Sequence, residues 1–417
     1  MLATEKQYVQ WFDNETLCHA RWLSESNQVP PARIVLVDDK TSADEAYRLA
    51  CAGTSMLWHG DFQNARQLLQ ALTRRIERSE KRKMSKVANK LSKAAESERA
   101  AKPLAASNLE NPNLVTLNLE SSKEIPNLFH QQRQAQAQRS RLLSRLLLAL
   151  DAGYVSQLRR APDVSAACTA AFGKLDKPCL ISFRDLQGAL GAAGWRAKGV
   201  PITNLGLSIF PHYGVFAPTR HEYVQLLLDA PLPDKHDVAF DIGTGTGLLA
   251  IILAQRGIKQ IIATDLNPRA LACASDNFAR LALSTVQLQQ ADLFPTDAPL
   301  AHLIVCNPPW LPAKPTSPLE YAVYDANSAM LRGFLQGAKQ RLAEQGEVWL
   351  ILSDLAEHLQ LRSREELLGW FTESGLKVKY RLDTTPKHGR SQDNTDPLFA
   401  ARNAEITSLW CLVPFAD

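Results

Sequence analysis

The sequence predicts an α/β protein: a doubly wound, seven-stranded, mostly parallel sheet in its second half, preceded by a mainly helical N-terminal domain. Three observations carry this expectation. After Asp237, short apolar runs alternate with helix-patterned segments, the grammar of parallel strands joined by helices on both faces. A turn with three alternating glycines, Gly243-Thr244-Gly245-Thr246-Gly247, joins the first run to a helix. Asn267 and Pro268 stand where an N-cap and a first helical residue belong, straight after the second run.

In order, the first strand is 238–242, and its helix starts near Thr246 and carries Leu248, Leu249, Ile251, Ile252 and Leu253. A second strand over 261–265 feeds a helix reaching about Leu281, a third covers 286–290, and a fourth ends in Cys306. A helix over 330–342, a strand over 348–352, a helix over 365–373 and strands over 376–382 and 406–413 complete the seven.

The first half reads as helical. Residues 43–72 carry apolar positions at helical spacing, broken near Gly53 and Gly60, and continue into a segment with little apolar content. Asparagine, serine and proline interrupt every pattern over 103–127, which predicts a linker. A second helix is expected over 128–150, wet at its Gln- and Arg-rich start (Arg133, Arg139, Arg141, Arg145) and packed at its leucine-dense end. Residues 1–198 are therefore expected to form one domain and residues 199–417 another.

Charge is unevenly placed. The net +4 conceals a segment, 74–102, with eleven Lys and Arg against four Glu, so that 11 − 4 = +7 falls there and 4 − 7 = −3 on the remainder. Such a block is either an attractor for phosphates or a solvated helix face. The seven cysteines are scattered without the spacing that grips zinc, so no metal is expected. No run approaches the roughly 18 apolar residues of a membrane span, and residues 1–6 lack the order of a secretion signal, so a cytoplasmic protein without a membrane partner is expected.

Chemistry concentrates after the strands. The three glycines let the backbone bend and approach a ligand closely. A dinucleotide fingerprint would need glycine where Leu248 stands, which makes nicotinamide the minor reading. Asp265 closes the second strand, where a carboxylate can accept from both hydroxyls of a ribose, with Leu266 beside it. Asp292, with Leu293, follows the third strand and is placed to accept from an adenine amino group. Asp241, ahead of the glycines, is expected to brace the turn or meet an ammonium. After the fourth strand, Asn307-Pro308-Pro309-Trp310 combines an amide, a proline-locked backbone and an aromatic plate, a holder for a flat amino group.

Asp241 to Gly247, Asp265, Asp292 and Asn307-Pro308-Pro309-Trp310, in this order on alternating strands, resemble the class I S-adenosylmethionine-dependent methyltransferases, in the branch that methylates exocyclic amino groups. That branch includes release-factor glutamine methyltransferases and small-domain RNA guanine and adenine methyltransferases. The resemblance covers about 199–417 and implies a Rossmann-like methyltransferase domain with S-adenosyl-L-methionine as cofactor. It implies that the Asn307 side chain and the Pro308 carbonyl accept from the target amino group, which aims the nitrogen lone pair at the methyl carbon, while Trp310 stacks on the target. The cofactor would be held by Asp241, Gly243, Thr244, Gly245, Gly247, Asp265, Leu266, Asp292, Leu293 and Asn307. Phe216, Pro218, Thr219 and Arg220 resemble the segment that folds over it. Two departures stand out. Tyr or Phe is the usual fourth residue where this chain has Trp310, and the spacing from Pro218 to Glu222 is not that of the release-factor enzymes.

The expected activity is therefore N-methylation of an RNA base, in ribosomal or transfer RNA. Methylation of a protein glutamine, or a catalytically silent RNA- or ribosome-binding module, are the alternatives. Residues 1–198 would recognise substrate. The 383–404 segment, with Lys387, His388, Arg390, Asp393 and Asp396, is long enough for a lid.

Overall fold

The computed structural model describes residues 8–13, 15–24, 28–100, 124–386 and 396–415. The chain folds into two compact units, one of residues 1–24, 28–165 and 174–187, the other of 25–27, 166–173 and 188–417.

The first unit is built on a six-stranded mixed sheet of β1 (Tyr8–Asp13), β2 (Thr16–Leu23), β3 (Ile34–Val37), β4 (Ser55–Trp58), β5 (Leu146–Leu150) and β6 (Cys179–Ser182), in the order β1-β2-β6-β5-β4-β3. Helix outweighs strand in residue count, through Ala43–Cys51, Phe62–Ala100 and Glu124–Leu143, and buried residues of both the sheet and these helices form the core. The helical spacing expected over 43–72, with its breaks near Gly53 and Gly60, divides into the helix Ala43–Cys51 and the start of the helix Phe62–Ala100; between the two glycines lies a strand the spacing did not show, β4, whose four residues are all buried. The expected helix over 128–150 ends at Leu143, and its leucine-dense end is β5. Five consecutive apolar residues fit a buried strand as well as a buried helix. Pairing with β4 and β6 decides for strand. The helix Phe62–Ala100 contains most of the basic block. The side chains of 81 and 83–100, and residues 101–123 with most of the expected linker, lie outside the described residues.

In the second unit a hairpin pairs β7 (Val200–Ile202) with β8 (Leu207–Ile209). Its sheet has seven strands: β9 (Val238–Ile242), β10 (Gln260–Asp265), β11 (Val286–Gln290), β12 (Ala301–Cys306), β13 (Leu342–Ser353), β14 (Leu376–Thr384) and β15 (Thr407–Pro414), ordered β11-β10-β9-β12-β13-β15-β14. The pairs from β11 to β13 are parallel, and β15 runs antiparallel to both neighbours. Successive strand residues point to opposite faces. Ala239, Leu303, Val305, Trp349 and Ile351 join one core with the helices Leu248–Gln255 and Tyr223–Asp229. Phe240, Ile304, Cys306, Val348 and Leu350 join the other with Ala329–Ala338 and Arg364–Glu373. The sheet is thus doubly wound, as expected. Its strand order reverses between β9 and β12, and a crevice for ligands opens beyond the carboxyl ends of strands at such a point.

Candidate functional site

The turn after β9 divides its glycines between two tasks. Gly245 and Gly247 hold φ of +55° and +86°, in the left-handed region that favours glycine. A Cβ on Gly247 would lie 2.5 Å from the Phe278 ring, so this glycine lets the helix Pro268–Arg280 pack against the turn. A Cβ on Gly245 would meet nothing nearer than the Gly243 carbonyl at 4.0 Å, which marks open space. The Met330 methyl approaches the corresponding position on Gly243 to 3.3 Å.

Asp241, fully buried in β9, ties the turn down. Its Oδ2 accepts from Thr244 Oγ1 at 2.6 Å and from the Ala250 N–H at 3.1 Å. Its Oδ1 is buried with no hydrogen-bond partner among the described residues. Burial, with Asp265 adding repulsion, pushes this carboxyl up to about 7. Asp265, at the end of β10, accepts from the Gly245 N–H at 3.0 Å and the Asn267 N–H at 2.8 Å, and its burial also raises it above the usual carboxylate range. Leu266 beside it is 64% exposed. Asp292 is exposed beyond β11, and the carbonyl of Leu293, whose φ is +70°, accepts from Thr264 Oγ1. Phe216 and Thr219 are exposed and Pro218 is buried.

On the other side of the switch point, β12 ends at Cys306 and delivers Asn307. Trp310 donates its Nε1–H to Asn307 Oδ1 at 2.8 Å. Burial raises the buried Tyr223 phenol well above its ordinary range, and the neighbouring Asn307 side chain draws it back down. Pro308 is buried and Pro309 half-buried. Arg220 places its guanidinium 5.3 Å from the centre of the Trp310 ring and pairs with Glu405 Oε1 at 3.0 Å. Glu405 is 1% exposed and accepts on the same oxygen from Ser353 Oγ at 2.7 Å. Arg220, expected in the segment that folds over the cofactor, packs on Trp310.

Tyr223, Ser353 and Glu405 are absent from the expected set. Ser353 ends β13 opposite Thr407, so the residues entering the antiparallel β15 reach the carboxyl ends of the parallel strands. An acidic residue just ahead of the last strand was the available signal. In the expected lid, Asp396 pairs with Arg402 at 2.9 Å, whereas Lys387, His388, Arg390 and Asp393 lie outside the described residues. Among the described residues no cluster of His, Cys, Asp and Glu could hold a metal ion, and no helix is long and apolar enough to cross a membrane.

A doubly wound sheet with a glycine turn after its first strand and acidic residues after the next two defines a class of nucleoside-cofactor enzymes. A family model for the methyltransferase small domain matches residues 206–380. A tRNA1(Val) (adenine(37)-N6)-methyltransferase of Actinobacillus pleuropneumoniae is 39% identical over 183 residues, 42% of this chain and 74% of that one. A release factor glutamine methyltransferase of Cereibacter sphaeroides is 40% identical over 89 residues, 21% of this chain and 32% of that one. A protein of Methanocaldococcus jannaschii named as an N5-glutamine methyltransferase is 28% identical over 180 residues, 42% of this chain and 90% of that one. The chain belongs to the methyltransferase small-domain family and is an S-adenosylmethionine-dependent methyltransferase. The site fits that cofactor on its own terms: an ammonium would complete the orphaned Asp241 Oδ1, and the open space at Gly245 adjoins the Asp265 carboxylate.

Proposed function

We propose that this protein methylates a planar amino nitrogen, and that the target is a base in ribosomal or transfer RNA. The observation that carries the reading is Asn307 at the end of β12, its side-chain oxygen held by the Trp310 indole N–H. Asn307 Oδ1 has two lone pairs, of which the indole N–H uses one, so the second is available to a target N–H. With the Pro308 carbonyl accepting the other N–H, the nitrogen lone pair is drawn out of conjugation and held in the attacking orientation. S-adenosylmethionine supplies a sulfonium-activated methyl group, so no strong base is required of the chain. Asp241 is the proposed partner of its ammonium and Asp265 of its ribose, with Leu266, Asp292 and Leu293 towards the adenine. Phe216, Pro218 and Thr219 are proposed to fold over it.

RNA is favoured over protein by the +7 carried by residues 74–102 and by the relatedness to a tRNA adenine methyltransferase. Residues 1–198 are proposed to recognise this substrate. Relatedness to release-factor enzymes supports glutamine as the second reading.

The test follows labelled methyl from S-adenosylmethionine into RNA and protein fractions of cells lacking the protein, with mass spectrometry of the modified nucleoside. Label in RNA is expected. Label confined to a glutamine of a release factor decides for the second reading, and label in neither sinks both. Asn307→Ala should reduce transfer about a hundredfold or more while cofactor affinity holds, as for loss of a preorganised hydrogen bond to the reacting group. Neutralising Lys81, Arg82, Lys83 and Lys86 should weaken RNA binding and flatten its log–log salt slope by about 3.

A further inference from the structure

Asn307 can serve an amino target only with its oxygen, not its NH2, turned towards it. An amide reversed about its last bond presents donors to a donor, so transfer requires something that fixes its orientation. The usual aromatic residues at the fourth position, Tyr and Phe, have no N–H to offer. Trp310 has one, and it lies 2.8 Å from Asn307 Oδ1, three residues along a backbone stiffened by Pro308 and Pro309.

We propose that Trp310 is a positioning residue for Asn307 through its indole N–H, and that Arg220 and Glu405 are positioning residues for Trp310. The Arg220 guanidinium lies over the indole, attracted by the ring's negative face. Glu405 holds that guanidinium: it is buried, and its Oε1 takes both Arg220 and Ser353. Arg220 Nε is buried without a hydrogen-bond acceptor among the described residues, with Glu222 Oε1 at 4.0 Å as a second ion-pair partner beyond hydrogen-bond reach, so the guanidinium is not placed to satisfy every donor it has. It packs on the Trp310 ring, and its closer ion pair is with Glu405. A chain of three contacts thus runs from the start of β15 to the amide that meets the substrate. It fixes the amide orientation before the target arrives, which is the condition for preorganised catalysis.

This inference rests on the proposed role of Asn307, and its test is chosen to stand apart from that reading. The full-length protein, labelled with 15N at its eight tryptophan indoles, gives eight indole N–H signals, and the one missing in W310F belongs to Trp310. In N307A that signal should move upfield, with its hydrogen exchange faster by about tenfold or more once the acceptor is gone. In E405Q it should move in the same direction by less, with the melting temperature little changed. A Trp310 signal indifferent to N307A overturns the indole–amide link, and one indifferent to E405Q overturns the role of Glu405. The kinetic arm uses total RNA from cells lacking the protein. W310F keeps an aromatic plate and loses the N–H, so the maximal rate should fall about tenfold while the half-saturating RNA concentration changes less than about twofold. A raised half-saturation at unchanged maximal rate would mean that Trp310 only stacks. If the wild type transfers nothing to RNA, the reading of the substrate fails, while the indole signals still decide whether Trp310 orients Asn307.

Discussion

Asp61 and Asp241 are both buried carboxylates, one in each unit, and the protein treats them in opposite ways. Asp61 uses both oxygens: Oδ1 accepts from the Gln63 N–H at 2.8 Å and Oδ2 from Arg160 Nε at 2.7 Å, and the Arg160 hydrogen bond holds its carboxyl below the usual range. Asp241 satisfies Oδ2 twice and leaves Oδ1 bare, and burial pushes it up to about 7. A carboxylate that serves only the fold is fully paired. One with a buried acceptor left over is costly to the fold alone, by about 1–3 kcal/mol for the missing bond, and points to a ligand group that completes it.

The sharpest way to separate fold from ligand lies within the glycine turn. Gly247→Ala should destabilise the second unit by about 2–5 kcal/mol, combining the left-handed backbone with overpacking against Phe278. Gly245→Ala should cost only the backbone share, about 1–2 kcal/mol, and weaken cofactor binding by filling the open space. Calorimetry and cofactor titration check both, and equal losses of stability would erase the division proposed for the turn.

Asp241→Asn comes next. The folded carboxyl sits near 7 against 3.8 unfolded, so the fold favours its protonated form. Its contribution is fully present below pH 3.8, declines as pH rises, and is gone above about 7, on the order of 4 kcal/mol across that window. Cofactor binding has the opposite sign, because an ammonium favours the ionised carboxylate. Affinity should therefore rise from pH 5 to about 7.5 by as much as tenfold per unit. In Asp241→Asn both dependences should flatten. An unchanged affinity profile in that variant would remove Asp241 from the cofactor's partners.

Legibility in the sequence also differed between the two regions. Asn267 caps its helix by accepting from the Arg269 N–H, with Pro268 at the first turn, because such signals are local. The strands β9 and β12 were readable as apolar runs because both their faces are buried. In the first unit, β3, β4 and β6 have four residues each, too short to display a period. β2 pairs in parallel with β6 from the far end of the unit, so no neighbouring pattern betrays it. Distance hid part of the site for the same reason. Asn307 and Trp310 form one four-residue motif, but Glu405 meets Arg220 across 185 positions, and only folding joins them.

The smallest effect is expected from Asp61→Asn, which keeps the shape of the side chain and loses its charge. The folded carboxyl lies below 3.8, so its stabilisation is present above pH 3.8 and is lost as pH falls through the folded value. The variant should therefore melt slightly earlier at neutral pH and show a flatter acid limb below pH 3.8, since Arg160 is 63% exposed and water screens most of the pair. Its cofactor affinity, and the dependence of that affinity on pH between about 5 and 7.5, should match the wild type. A loss of cofactor binding in Asp61→Asn would mean that the first unit reaches into the chemistry of the second, and the contrast between a carboxylate for the fold and a carboxylate for the ligand would not hold.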